Sequence, residues 1–320
     1  MTISVALCTC NGGAYLESQL TGILRQQLPV AEVVIGDDAS TDDTHDIIRR
    51  LAAVYPGIIR LRVNERRLGA PQNFEQTLSR CTGDLLFLAD QDDQWYLDKT
   101  AVFATAFRER PAMLGLFSNG DLIDEAGVPL TGTLWERQHF DPSGVGAEPS
   151  ALHRYLVFSR NVVTGSALAL RRAALPLVLP FHTRPNIWHD EWIGYRLSAA
   201  NALGMLDRRT YAYRLHPGQL TGLEDLPEPT GAPAWRSGRP RTEEQQRRLT
   251  RFNAAWITYE KAAFLHRHHA FTADLPATRT RAHTARNRYL STLPPWLRRL
   301  HLLKWYLRHQ FDIRLRDLMG

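Results

Sequence analysis

Three cysteines, Cys8, Cys10 and Cys81, are too few and too scattered for a disulfide framework or a zinc site. Cys8 and Cys10 sit two apart on a strand pattern, so they face the same way and read as small buried residues in a reducing compartment. No apolar run approaches the roughly 18–20 residues that cross a bilayer. The opening residues MTISVALCTCNGG have neither a basic region nor an A-x-A-like cleavage site, so a cytoplasmic protein without a signal peptide is expected. Excess charge is also missing from most of the chain. The net charge is +6, yet residues 281–320 carry nine Lys or Arg against two Asp, which leaves the remainder close to neutral. That argues against nucleic-acid binding by the whole surface and leaves an anionic partner open for the tail alone. The 44% hydrophobic and 22% charged residues are those of a globular protein, with length for one large domain or two smaller ones.

The first part alternates strand and helix signals. ISVALC is a strand; after Asn11-Gly12-Gly13, Leu16, Leu20, Ile23 and Leu24 recur at helical spacing. AEVVIG is a second strand ending at Asp37-Asp38. In the helix that follows, Ser40 and Asp43 resemble a capping box, and Ile47, Ile48, Leu51 and Val54 form one stripe. IIRLRV, DLLFLA and MLGLFSNGDLID read as further strands, with a helix from Pro71 before DLLFLA. This is the pattern of βαβ units: an α/β fold with a mostly parallel sheet flanked by helices. From about Asp141 the pattern loosens into a flexible connection, a helix end, a Gly-centred turn and a strand. A helix then opens at Asp190-Glu191. A Pro- and Gly-rich linker covers about 223–242, and a helical basic extension covers 243–320. In that extension Trp296, Leu300, Leu303, Leu307, Phe311 and Leu315 line one helix face opposite a basic one. That face is expected to meet either an anionic membrane surface, its own core or a second copy.

Three polar clusters fall at strand ends: Thr9–Asn11, Asp37-Asp38, and Asp90, Asp92 and Asp93. In a parallel sheet these ends share one edge, where ligands bind. Crowded carboxylates raise one another's pKa, and a divalent cation removes the repulsion. Oxygen ligands with positions left open for phosphate suit Mg²⁺ or Mn²⁺. The alternative for each cluster alone is a solvated turn capping the next helix.

VALCTCNGGAYLESQLTGILRQQ, EVVIGDDASTDDT, GAPQNFEQTLSRCTGDLLFLADQDDQW and HDEW resemble, in order and spacing, the family 2 glycosyltransferases of GT-A fold. More narrowly, they are similar to bacterial rhamnosyltransferase-like members, over roughly Thr2 to Thr221. The resemblance implies a catalytic domain over about 1–222, with a nucleotide-binding half to about 125 and an acceptor half from about 126 to 222. It assigns the donor nucleotide to Thr9, Asn11, Asp38 and Asp92, and the metal to Asp93, with Asp90 in support. The Asp90-Gln91-Asp92 spacing leaves open which carboxylate touches the ion. WHDEW matches the position of the family's catalytic base, which implies Asp190; an acid where many members have an aromatic makes Glu191 a rival. YRLHPGQLTG resembles a segment whose histidine lies near the metal, so His216 is implied as a further ligand.

The activity implied is inverting transfer of one sugar from a nucleoside diphosphate sugar, dTDP-rhamnose or a UDP-sugar. The acceptor would be a saccharide, a lipid-linked molecule or a small molecule. The Q-x-x-R-W motif of processive synthases is absent, which favours single transfer. Trp95, Trp188 and Trp192 offer flat faces on which a sugar could stack, against the alternative that they are core aromatics. Two other enzyme classes use a metal on an α/β frame. A sugar nucleotidyltransferase would carry a basic Gly-rich loop where CNGGAYLES has no Lys or Arg. A phosphohydrolase would need neither Asp38 nor Asp190.

Overall fold

The computed structural model describes residues 1–146, 148, 150–183, 187–219, 243–268 and 275–293. The chain divides into a first unit, Met1–Leu226 with 268–270, and a second, Pro227–Arg267 with Phe271–Gly320. The predicted linker lies outside the described residues, and so does the amphipathic stripe from Trp296 to Leu315.

The first unit runs β1 (Ile3–Thr9), α1 (Leu16–Leu24), β2 (Glu32–Asp37), α2 (Thr44–Val54), β3 (Ile59–Val63), α3 (Ala70–Leu78), β4 (Leu85–Asp90), β5 (Gln94–Trp95) and α4 (Lys99–Glu109). It continues with β6 (Gly115–Ile123), β7 (Pro129–Thr133), α5 (Leu134–Arg137), α6 (Ala151–Phe158), β8 (Leu168–Arg171), α7 (Leu175–Val178), α8 (His189–Ala199) and β9 (Leu203–Arg214). One sheet has the order β3-β2-β1-β4-β8-β6-β9-β5, with β7 added to β6. β1, β2, β3, β4, β6 and β9 run one way and β5, β7 and β8 the other. The mostly parallel α/β frame expected from the sequence is therefore present.

β1 and β2 are buried at every position, and β4 everywhere but at Asp90. Continuous apolar strands of this kind belong to a sheet covered on both faces. At the edge, β3 is largely exposed and carries Arg60 and Arg62, charges that discourage further strand pairing. Cys8 and Cys81 are buried, Cys10 partly so, and all three are free thiols.

Three strands were not visible in the sequence: β5, β7 and the twelve-residue β9. In β9 the register against β6 jumps from Ser118↔Leu206 to Asn119↔Arg209, so Asp207 and Arg208 bulge out and interrupt the alternation that would betray a strand. The capping box expected at Ser40 and Asp43 is not formed. Asp43 is the N-cap residue without a side-chain bond, Asp42 accepts from the Thr44 hydroxyl at 2.5 Å, and Ser40 donates to Asp37. A true capping box joins Thr133 and Glu136 at the start of α5.

In the second unit, α9 (Glu243–Arg267) and α10 (Leu275–Leu290) pack through Tyr259, Ala282, Tyr289 and Leu293. Among the described residues no helix is long and apolar enough to cross a membrane.

Candidate active site

Register alone gathers the three polar clusters: Thr9 lies beside Asp37 and Cys8 beside Asp90, so β1, β2 and β4 end at one edge. Gln91 ties two of these ends together. Its Oε1 accepts from the Thr9 hydroxyl and the Cys10 N–H, each at 2.8 Å. Asn11 joins the third. It stands in the left-handed region at φ 52, donates its N–H to Ser40 Oγ and accepts from the Thr41 N–H through Oδ1, both at 2.8 Å. Asp37 is fully buried and accepts from Ser40 and His45. Asp38 is buried too, and its carboxylate receives the Leu68 N–H at 2.7 Å, the Gly69 N–H at 2.8 Å and the Asn64 amide at 3.0 Å. It thereby fixes the loop 64–69 against the end of β2.

The acidic turn after β4 is held from the far end of the sheet. β5 pairs with β9, Gln94 opposite Ala212 and Trp95 opposite Tyr211. That pairing brings Arg214, at the end of β9, onto the turn. Its Nε donates to the Asp92 carbonyl at 2.7 Å, its backbone N–H to Asp93 Oδ1 at 3.1 Å, and its Nη1 to the carbonyls of Asp124 and Glu125. Two residues on, His216 Nε2 meets Asp92 Oδ2. Asp93 is 1% exposed, and its second oxygen, Oδ2, has no hydrogen-bond partner. Burial, then the neighbouring Asp92, raises the Asp93 pKa. Burial, then Asp92, Asp93 and Asp190, raises that of Asp90 well above the carboxylate range.

Asp190 joins this group from α8. Its Oδ2 accepts the Gly165 N–H at 3.2 Å and its Oδ1 the Glu191 N–H at 2.7 Å. Burial pushes its pKa up to about 7. Glu191 points elsewhere: it is buried and takes the hydroxyl of Tyr195, one helical turn along α8. The three tryptophans separate. Trp95 is 4% exposed and packs on Phe87, and Trp192 is 1% exposed with its indole N–H on the Val178 carbonyl. Neither shows an open face, so stacking of a sugar on these two is corrected: both are core aromatics. Trp188, the N-cap residue of α8, is partly exposed.

Sequence reasoning missed Arg214, Gln91, His189 and Lys99. Lys99 opens α4, where a lysine ordinarily reads as solvent-exposed, yet it is 0% exposed. Its ammonium donates to the Ser166 carbonyl at 2.5 Å and lies 4.5 Å from the Trp95 ring centre and 4.4 Å from that of Tyr211. Burial lowers its pKa to about 7, against the pull of Asp93 and Asp90.

The donor chemistry suits a hard divalent cation. An unpartnered, buried carboxylate oxygen on Asp93 is the kind of atom such an ion takes up, with Asp92 and His216 alongside. Among the described residues no three His, Cys, Asp or Glu side chains are already gathered into a complete cage. Mg²⁺ sites in phosphate chemistry are commonly built from one or two carboxylates and completed by the substrate.

Residues 4–130 match the family described as glycosyl transferase family 2. These residues, about two-fifths of the chain, carry a domain of that family. Among similar proteins is an uncharacterized protein of Mycobacterium tuberculosis, 27% identical over 227 residues, which are 67% of this chain and 59% of that one. The chain thus spans about three-fifths of the length of this mycobacterial relative. The dTDP-rhamnosyl transferase RfbG of Shigella flexneri is 34% identical over 97 residues, 29% of this chain and 34% of its own. The fold is similar to that of S. aureus TarS residues 1-349 in complex with UDP-GlcNAc, with a TM-score of 0.51 and 17% identity, over 99% of this chain and 89% of that one. This likeness supports the GT-A architecture. A cavity of about 660 Å³ bounded by Asn119, Trp135, Glu136, Arg208 and Arg209 shares no lining residue with the acid cluster.

Proposed function

We propose that this chain transfers a single sugar, with inversion, from a nucleoside diphosphate sugar to an acceptor hydroxyl. The observation that carries the reading is the meeting of Asp90 and Asp93, at the end of β4, with Asp190, at the start of α8, around Gly165–Ser166. Acids from distant parts of the chain are costly to crowd unless chemistry needs them. Asp190 acts as the base. Its carboxylate is oriented by the Gly165 and Glu191 N–H groups, and a pKa near 7 suits proton removal at neutral pH. As the acceptor oxygen bonds to the anomeric carbon, the bond to the diphosphate breaks and the hydroxyl proton passes to Asp190. Glu191, committed to Tyr195, is the weaker candidate.

Mg²⁺ or Mn²⁺ on Asp93, with His216 and Asp92 beside it and Asp90 in support, would supply positive charge to the leaving diphosphate. Thr9, Asn11, Asp38 and Asp92 are assigned to the nucleotide. Of the tryptophans, only Trp188 is kept as an acceptor-side stacking face. The donor half is assigned to about 1–125 and the acceptor half to about 126–222, with the linker and basic extension beyond. The resemblance to rhamnosyltransferases, together with the name of RfbG, supports dTDP-rhamnose as donor, with UDP-sugars second. The acceptor class stays with saccharides, lipid-linked molecules and small molecules of the cytoplasm or the inner membrane face.

Calorimetric titration of UDP and dTDP, with and without Mn²⁺, into wild type and Asp93→Ala tests the reading. Metal-dependent binding lost in the variant supports it, and the preferred nucleotide narrows the sugar. If wild type binds neither nucleotide under any metal condition, the donor site is abandoned.

A further inference from the structure

We infer that His189, with the bare backbone of Gly165, forms a subsite for a hydroxyl of the sugar being transferred. The inference rests on the glycosyltransferase reading and adds a recognition residue to it. His189 is 6% exposed and stacks on Phe74, with ring centres 4.2 Å apart and planes at 17°. Phe181 lies 6.2 Å away on a tilted plane. Neither Nδ1 nor Nε2 has a hydrogen-bond partner. A neutral imidazole carries one donor and one acceptor, and buried groups of this kind are nearly always paired in native proteins. Two orphan nitrogens on one buried ring call for a partner that arrives with a ligand.

Gly165 shows where that ligand would lie. A Cβ built there would stand 3.3 Å from His189 Nε2 and 3.4 Å from Asp90 Oδ2. The ring and the carboxylate therefore face the same side of Gly165, whose own N–H is on Asp190 Oδ2. Burial holds the His189 ring neutral, with its pKa lowered to about 3. A neutral ring beside Asp90 and Asp190 repels no hydroxyl, whereas an anion would meet two carboxylates. A hydroxyl also accepts and donates at once, so it can accept a hydrogen bond from the imidazole N–H and donate one to a carboxyl oxygen of Asp90. Asp90 is two residues from Asp92 and three from Asp93, the acids assigned to nucleotide and metal, and Asp190 is the base. The group lying between them is the sugar whose anomeric carbon trades its bond to the diphosphate for one to the acceptor oxygen.

His189→Phe keeps a flat ring on Phe74 and removes both nitrogens; Gly165→Ala keeps His189 and fills the space beside it. Three quantities decide the matter, all with Mn²⁺ for the binding steps: melting temperature without ligand, affinity for UDP and dTDP, and affinity for a panel of UDP- and dTDP-sugars. The expected result is His189→Phe at least as stable as wild type, with free nucleotides bound as before. The attached sugar's contribution should fall about tenfold in both variants, the worth of one hydrogen bond. Sugar affinities equal to wild type in both variants overturn the inference. So does a ligand-free His189→Phe melting several degrees lower, because the nitrogens would then be satisfied by water in the free protein. A wild type that binds nucleotides but gains nothing from any attached sugar overturns it as well. A wild type that binds no nucleotide fails earlier, on the function itself.

Discussion

His216 Nε2 lies 3.0 Å from Asp92 Oδ2, a contact between groups 124 residues apart in the chain. It joins the segment after β9 to the turn after β4, and both side chains are largely shielded from water. The Tyr15 ring, 4.8 Å from that of His216, closes the same corner from the β1 side. His216→Ala frees Asp92 and removes a nitrogen from beside the metal acids. Mn²⁺-dependent UDP affinity should fall about tenfold, the scale of one charge-assisted hydrogen bond. Calorimetry reads it directly, and unchanged affinity would remove His216 from the site.

The two acids of HDEW should behave differently although they are adjacent. Asp190→Asn takes away the proton acceptor and keeps an oxygen for one of the Gly165 and Glu191 N–H groups, which in the wild type bond to different carboxylate oxygens, so transfer should drop about 10²–10⁴-fold with nucleotide affinity intact. Glu191→Gln alters a buried contact with Tyr195 and should mainly lower stability. Steady-state transfer measured on both variants separates the roles. In wild type the rate should rise with pH through about 7, as Asp190 loses its proton, and then level. A larger catalytic loss in Glu191→Gln would reverse the assignment.

How legible all this was depended on distance along the chain. β1, β2 and β4 were readable because a strand covered on both faces is a continuous apolar run, a local property. The acids after β4 were readable because a charged turn following such a run is equally local. β9 hid behind its bulge at Asp207-Arg208, and β5 is two residues long. Lys99, Arg214 and His189 carry no local mark of burial. Lys99 is enclosed by Trp95, Ser166 and Tyr211, and Arg214 by carbonyls of Asp92, Asp124 and Glu125, which only the folded sheet brings near. The same limit explains Trp95 and Trp192, since an indole looks alike on a surface and in a core.

The crowded acids should also appear in stability without metal. Asp190 has its pKa raised to about 7, and Asp90 and Asp93 are raised as well, chiefly by burial. Between about pH 4 and 7 the native state holds protons that the unfolded chain has released, so stability falls as pH rises. Lys99, lowered to about 7, acts oppositely above that pH: the unfolded chain then holds the extra proton, and stability climbs. His189, its pKa lowered to about 3, acts against the acids up to about pH 6.5, but three acids outweigh one histidine, so urea unfolding of the metal-free protein should show lower stability at pH 7 than at pH 5. A flat profile would mean that the acids are better solvated than their geometry implies.

Lys99 is buried beneath those acids, with Arg214 buried beside their turn, and its substitution gives the sharpest test of how the cluster is held together without metal. Lys99→Met keeps an unbranched chain between Trp95 and Tyr211, so the loss is one of charge and of the bond to the Ser166 carbonyl rather than of volume. Removing one partner of a buried charged group typically costs about 3–5 kcal/mol, and urea unfolding at pH 7 should show a loss near the lower end. The vacated positive charge also makes Asp93 and Asp90 a stronger trap for a cation. Mn²⁺ alone should therefore bind the variant more tightly than wild type, and added Mn²⁺ should restore part of the lost stability. Equal stability and equal Mn²⁺ affinity in the two proteins would show that the ammonium does not serve as the counter-charge. A stability loss with unchanged Mn²⁺ affinity would confine Lys99 to anchoring Ser166, and with it the turn that presents Gly165 to Asp190.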